Sequence, residues 1–280
     1  MNIKKIIGII CGLIIICLIA FAGYFLVQKS DVKLENNNFQ VKVFEGNSDC
    51  ILIKCDEEYM LIDTGLKDDA DTICDFLNEE GITDLKYLVL THMDRDHIGG
   101  AKKVISKFNI GSLIMADYKK ESDEYDDLLK AIQKKSLTPI LLHGNIDANL
   151  GQSSIKIASA EKNYYEDSND YSIIASIMYG EKSFLFTGDA EKERIGEFLN
   201  SDLNKKYDFL KVPHHGVYQK LSKQFIENVS AGYSVITCGS EDAVDDKIKK
   251  ALKETKSEVY YNCNGIITIE SDGKNIKVSQ

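Results

Sequence analysis

The chain has 280 residues, 44% of them hydrophobic and 28% charged, which is ample for one sizeable core and ordinary for a globular domain. Lys4 and Lys5 are the only charges among residues 1–27, so the remainder carries 32 basic and 44 acidic side chains, net −12. A domain that acidic offers no strong electrostatic case for gripping a long nucleic acid, and an anionic substrate would need metal ions to supply the attraction. None of the seven cysteines stands in a C-x-x-C pair, which argues against a zinc ribbon or a thioredoxin-type site and leaves them as small buried thiols.

Ile6 to Val27 is a run of 22 uncharged residues, long enough to span a bilayer as one helix. Lys4, Lys5 and the amino terminus precede it, so the positive-inside bias places the N-terminus in the cytoplasm and the domain outside. Ala20-Phe21-Ala22 also fits a signal-peptidase site, which makes secretion the alternative; the apolar run continues past it and favours a retained anchor. The expected organisation is an anchor or signal segment at 1–27, a polar linker at 28–37 and one domain at 38–280.

Strand-like runs follow at Phe39–Phe44, Cys50–Cys55 and Tyr59–Ile62, the last ending in Asp63-Thr64-Gly65. Residues 69–80 have helical periodicity and Gly81 is a stop signal. Tyr87–Leu90 reads as a buried strand. It leads into a loop, Thr91-His92-Met93-Asp94-Arg95-Asp96-His97-Ile98-Gly99-Gly100, with a helical pattern after it. Further strands are expected at Ser112–Met115, Thr138–Leu142, Ile155–Ala158, Ser172–Met178, Ser183–Thr187, Phe209–Val212, Ser234–Thr237, Val259–Cys263 and Ile266–Glu270. The segments Tyr125–Lys135, Glu191–Leu199, Phe225–Val229 and Asp246–Leu252 read as helices. Strands and helices alternate in both halves, which suits two mixed β-sheets packed together with helices outside, an αββα sandwich.

His92, Asp94, Asp96 and His97 place two imidazoles and two carboxylates within six residues of a chain that has five histidines. As turn or cap residues these four would be a coincidence; as metal ligands they are the right types on the right kind of loop. The cluster resembles the H-x-H-x-D-H signature of the metallo-β-lactamase superfamily, with Asp94 where the second His usually stands. Asp63-Thr64-Gly65, Phe186-Thr187-Gly188-Asp189 and Val212-Pro213-His214-His215-Gly216 then arrive in the order of that superfamily. Asn169-Asp170, Leu210–Gly216 and the closing Val259-Tyr260-Tyr261 resemble more particularly the β-lactamase-like domain of the DNA-uptake protein ComEC.

The resemblance implies a metal-dependent hydrolase with two divalent ions, zinc or manganese, acting through metal-bound hydroxide on a small-molecule, nucleotide or phosphodiester substrate. It implies His92, Asp94 and Asp189 around a first ion and Asp96, His97, Asp189 and His215 around a second. Asp63 would support the metal loop. Asp96 and His214 would be the catalytic groups, although His214 and His215 could exchange roles. Two departures stand out. The third His that usually joins the first ion is absent from Ala158–Glu161, and His143 is the one spare histidine that could replace it. The loop Ser240–Ala243 lacks the His usual there. The oxygen-rich first site favours manganese over zinc. The expected activity is that of a membrane-anchored phosphodiesterase. A lactonase or phosphorylcholine-esterase chemistry, or a surface binding protein that has lost turnover, are the alternatives.

Overall fold

A computed structural model describes residues 38–280. The expected anchor and linker lie outside the described residues, among which no helix is long and apolar enough to cross a membrane. The first half runs β1 (Phe39–Val43), β2 (Ile51–Cys55), β3 (Glu58–Ile62), α1 (Ala70–Glu79), β4 (Asp84–Leu90), α2 (Arg95–Ile98), α3 (Ala101–Lys107), β5 (Asn109–Ala116), α4 (Asp123–Lys135) and β6 (Ile140–Leu142). The second runs β7 (Asn145–Leu150), β8 (Ser153–Ala158), β9 (Ile174–Tyr179), β10 (Lys182–Phe186), α5 (Lys192–Asn200), β11 (Phe209–Lys211), α6 (Ser222–Val229), β12 (Tyr233–Ile236), α7 (Asp246–Glu254), β13 (Glu258–Tyr261), β14 (Ile267–Ser271) and β15 (Ile276–Ser279).

These strands form two mixed sheets, ordered β15-β14-β1-β2-β3-β4-β5-β6 and β13-β12-β11-β10-β9-β8-β7. In each sheet one part is antiparallel and the other parallel: β3 to β6 in the first, β10 to β13 in the second. The parallel strands are covered on both faces. That is why Leu88-Val89-Leu90 and Phe209-Leu210 read as continuous apolar runs rather than alternations.

Alternation still decides which layer each side chain joins. Phe184, Phe186, Phe209 and Val235 point between the sheets, where Phe39 stacks on Tyr179 at 5.1 Å and meets the tilted ring of Phe184 at 4.6 Å. Leu185, Leu210 and Ile236 point the other way, onto Ile195 and Phe198 of α5, Phe225 and Ile226 of α6 and Ile248 of α7. On the far face of the first sheet, Ile73 and Leu77 of α1, Val104 of α3 and Leu128 of α4 complete the fourth layer. Burying one such ring or branched side chain contributes about 1.5–3 kcal/mol, so these layers carry most of the stability.

The expected elements are found with ends shifted by a few residues, and two features differ. The metal-loop stretch contains a turn of helix, α2, rather than an irregular loop. Strands β7 and β15 were not anticipated. Both are edge strands, and β7 (Asn145-Ile146-Asp147-Ala148-Asn149-Leu150) alternates so weakly in hydrophobicity that only its pairing with β8 reveals it.

Candidate metal centre

The ends of parallel strands from both sheets meet at one rim. Asp63 follows β3; Thr91 and His92 follow β4; Thr187, Gly188 and Asp189 follow β10; Lys211 to His215 end and follow β11; Thr237 follows β12. Convergence of strand C-termini is the general location of sites in open α/β sheets. Gly100 lets the metal loop lie against the Asp63-Thr64-Gly65 turn: its N–H reaches Gly65 O at 3.2 Å, and a Cβ there would stand 2.3 Å from Thr64 O. Asp63, His214 and His215 are held in the left-handed region at φ +56°, +45° and +51°. Such strain costs about 1–3 kcal/mol per residue and persists where the surroundings over-determine it.

Three imidazoles are fixed from behind through Nδ1. His97 Nδ1 donates to Asp63 Oδ2 at 2.8 Å, and His215 Nδ1 donates to Thr237 O at 2.8 Å. The Thr91 hydroxyl donates to Asp63 Oδ2 at 2.7 Å and accepts from His92 Nδ1 at 3.1 Å. Each ring therefore points its Nε2 to the front, the arrangement by which proteins orient metal-binding histidines. The rings of His92 and His97 lie 4.0 Å apart by centroid, and His97 and His215 5.8 Å. Asp189 Oδ2 stands 3.3 Å from His97 Nε2 and 3.0 Å from His215 Nε2; Asp96 Oδ2 stands 3.2 Å from His215 Nε2.

The electrostatics of this group are those of a site built around positive charge. Burial opposes ionisation of Asp189, yet His215, His97 and Lys211 hold its carboxyl well below the usual range. Burial likewise opposes a charged His215, but Asp189 and then Asp96 raise it to about 10; Asp189 and Asp63 raise His97 against the same opposition. Burial, aided by neighbouring His97, lowers His92 to about 3, so that ring is a neutral donor. The Nε2 atom of His92 is buried with no hydrogen-bond partner, and that of His97 faces the Asp189 carboxylate. Buried polar atoms are rarely left so, and a divalent cation fits the set of Nε2 and carboxylate donors that surrounds them.

Asp49, His97, Asp189 and His215 bring ligand-type atoms within 4.8 Å of one another. Asp49, from the β1–β2 loop, was not anticipated, and it stands behind the rings. It lies 4.0 Å from His97 Nδ1 and 3.8 Å from His215 Nδ1. Its Oδ1 accepts the Thr237 hydroxyl at 2.6 Å and its Oδ2 pairs with Lys211. Lys211, also unanticipated, is fully buried and reaches Gly188 O at 3.0 Å and Asp189 Oδ1 at 3.2 Å as well. The pairs with Asp49 and Asp189 keep Lys211 charged despite burial. Asp189 thus offers one oxygen forward and has the other held by an ammonium. No local spacing betrays Asp49 or Lys211, because their partners are remote in sequence.

The remaining expected residues separate into three groups. Asp94 stands at the mouth: its Oδ1 is 3.9 Å from His92 Nε2, accepts from Ser168 Oγ at 3.0 Å and pairs with Lys120. Lys120 is thereby drawn into the site. His214 turns away from His215; its Nδ1 is 2.8 Å from Glu191 Oε1 and its Nε2 is 3.4 Å from Asn169 Nδ2. His143 does not join the group: it is 70% exposed, and its Nε2 pairs with Asp117 Oδ2 at 2.8 Å. It lines a cleft of ~680 Å³ with Tyr171, whose ring stacks at 4.1 Å on Tyr118; the Tyr118 hydroxyl accepts from Met93 N–H at 2.7 Å. The cleft and the metal loop therefore share a tyrosine wall.

Residues 43–239 match the family model described as Metallo-beta-lactamase superfamily. The chain is 26% identical over 178 residues to ComE operon protein 3 of Bacillus subtilis, covering 64% of this chain and 23% of that one. It is 27% identical over 167 residues to Recombination protein 2 of Haemophilus influenzae, covering 60% of this chain and 19% of that one. The chain thus spans less than a third of the length of these relatives. Among solved structures, the metallo-β-lactamase fold protein YhfI from Bacillus subtilis superposes with a TM-score of 0.57 at 14% identity, covering 86% of this chain and 100% of that one.

Proposed function

The chain belongs to the metallo-β-lactamase superfamily, and we propose that it is a membrane-anchored metallo-hydrolase that cleaves phosphodiesters with two divalent ions, zinc or manganese. The observation that carries this reading is the convergence of the Nε2 atoms of His97 and His215 on the carboxylates of Asp189 and Asp96, beside the buried and unpartnered Nε2 of His92. His97, His215, Asp96 and Asp189 would hold one ion, with His92, Asp94 and the shared Asp189 at the other. When bound, divalent ions acidify water and polarise a phosphoryl oxygen. The chain's own groups supply positioning and proton handling. Asp63 and Thr237 fix the rings, and Lys211 holds Asp189 in place. His214, steadied by Glu191 and Asn169, stands at the rim where it can pass a proton to a leaving oxygen. Relation to Recombination protein 2 supports a phosphodiester over a lactone or phosphorylcholine ester.

The second reading, a binding protein without turnover, draws on Asp94 being paired with Lys120 and on His143 lying elsewhere. Metal analysis of purified protein, with hydrolysis assays on bis(p-nitrophenyl) phosphate, a lactone and single-stranded DNA, separates the two. Two ions per chain and phosphodiester turnover that is lost in Asp189→Ala are expected, with folding retained by circular dichroism. Metal-free protein, or turnover indifferent to chelation, rejects the hydrolase reading.

A further inference from the structure

Cys238 and Cys263 stand two residues beyond the last paired rung of the parallel strands β12 and β13, Ile236 against Tyr261. The two segments stay tied past that rung. Cys238 N–H donates to Asn262 Oδ1 at 2.7 Å, Cys263 N–H is directed at the Cys238 sulfur, and the two Sγ atoms are 3.8 Å apart. Cys263 lies in the 3₁₀ turn Asn262–Asn264 that follows β13, and its sulfur is close enough to that of Cys238 for side-chain rotation to bring the pair to the bonding distance of about 2 Å. Both cysteines carry free thiols; Cys238 is buried and Cys263 is partly exposed.

We propose that Cys238 and Cys263 form a redox pair that closes into a disulfide when an oxidised dithiol reaches Cys263, locking the strand end behind the metal centre. Burial and the contact with Cys263 push the Cys238 thiol up to about 12, so exchange begins at the exposed partner. The Cys263 thiolate attacks one sulfur of the external disulfide; a mixed disulfide forms and one thiol departs. Cys238 then loses its proton, and its thiolate displaces the second thiol from Cys263. Two cysteines are oxidised, the external disulfide is reduced by two electrons, and both protons leave on the released thiols.

The consequence for the site follows from the neighbours. Thr237, immediately before Cys238, holds His215 through its carbonyl and Asp49 through its hydroxyl. Asn262, immediately before Cys263, donates to Phe44 O and Gly46 O, both at 2.8 Å, in the loop that carries Asp49. A covalent tie between 238 and 263 therefore restrains both supports at once. The inference stands on the two thiols and does not depend on which metal or substrate the site takes.

The test uses the full chain in detergent and chelator, equilibrated with oxidised glutathione or with dithiothreitol, quenched with iodoacetamide, digested and analysed by mass spectrometry. A peptide linked through 238 and 263 is expected in the oxidised sample, with a melting temperature about 5–10 °C above the reduced one. Cys263→Ser should remove both the linkage and the shift. Full alkylation of both residues after oxidised glutathione, or a glutathione adduct stranded on Cys263, overturns the pair. A linked peptide without a melting shift overturns the lock.

Discussion

What stands behind the three imidazoles determines how the centre responds to pH. In metal-free protein the His97 and His215 contacts to Asp189 and Asp96 are imidazolium–carboxylate pairs, with His215 raised to about 10. A raised folded value contributes stability that is fully present below the unfolded value of about 6.5 and is lost as pH climbs through about 10. Thermal melts with chelator should therefore decline across that window. A divalent ion needs neutral imidazoles, so its affinity should rise over the same window. Equal melting temperatures at the two ends with chelator would contradict this account. Lys211 supplies the other charge test. Lys211→Met leaves Asp49 and Asp189 buried without their ammonium, which should cost about 3–5 kcal/mol in chelator by denaturant titration; an unchanged midpoint would remove Lys211 from the framework. Of these residues, His97, His215, Asp96 and Asp189 were legible because they sit in short motifs of ligand type. Lys211, in Phe209-Leu210-Lys211-Val212, reads as one polar residue in an apolar strand, and only its two remote carboxylates explain it.

Elements explain why the residues meet. The short turn Ser168–Tyr171 and the Ser172 that caps it distribute four side chains around the centre. Ser168 reaches Asp94, Asn169 reaches His214, Asp170 accepts Glu191 and Arg194 N–H at the start of α5, and Ser172 accepts Asp189 N–H at 3.1 Å. The sequence offered Asn169-Asp170 as a mark of kinship and gave no sign of this organising role, since a four-residue turn has no periodicity to read. The strands leading into the centre were legible, because apolar runs closed by Gly or Pro survive any local reading. The contact of the metal loop with the β3 turn was not, although its device is visible as Gly99-Gly100. Gly100→Ala drives a Cβ against the Thr64 carbonyl. The backbone must shift, at about 1–3 kcal/mol for overpacking, and the bond from Thr64 N–H to the His97 carbonyl and the Asp63 support of His97 move with it. A lowered melting temperature together with weaker metal binding in isothermal titration is expected. Loss of stability with metal affinity intact would show that the loop contact does not position the ligands.

At the scale of the whole chain, charge and hydrophobicity are divided between two regions. Residues 1–27 hold two lysines and no acid, whereas the rest is net −12. An acidic domain is repelled by nucleic acid and by anionic headgroups alike, so binding of either must be local to the centre rather than spread over its surface. On the proposed reading, membrane attachment would come from the Ile6–Val27 run, with the lysines before it setting the direction. These readings yield one observable on living cells. A protease added to intact cells should digest the domain while a cytoplasmic marker survives, and the digestion should leave a membrane-bound fragment that contains residues 1–27. Substituting Lys4 and Lys5 with Glu weakens the orienting bias and should increase the protected fraction. A domain shielded until lysis would reverse the orientation, and a soluble domain recovered from the medium beginning at Gly23 would identify residues 1–22 as a cleaved signal instead.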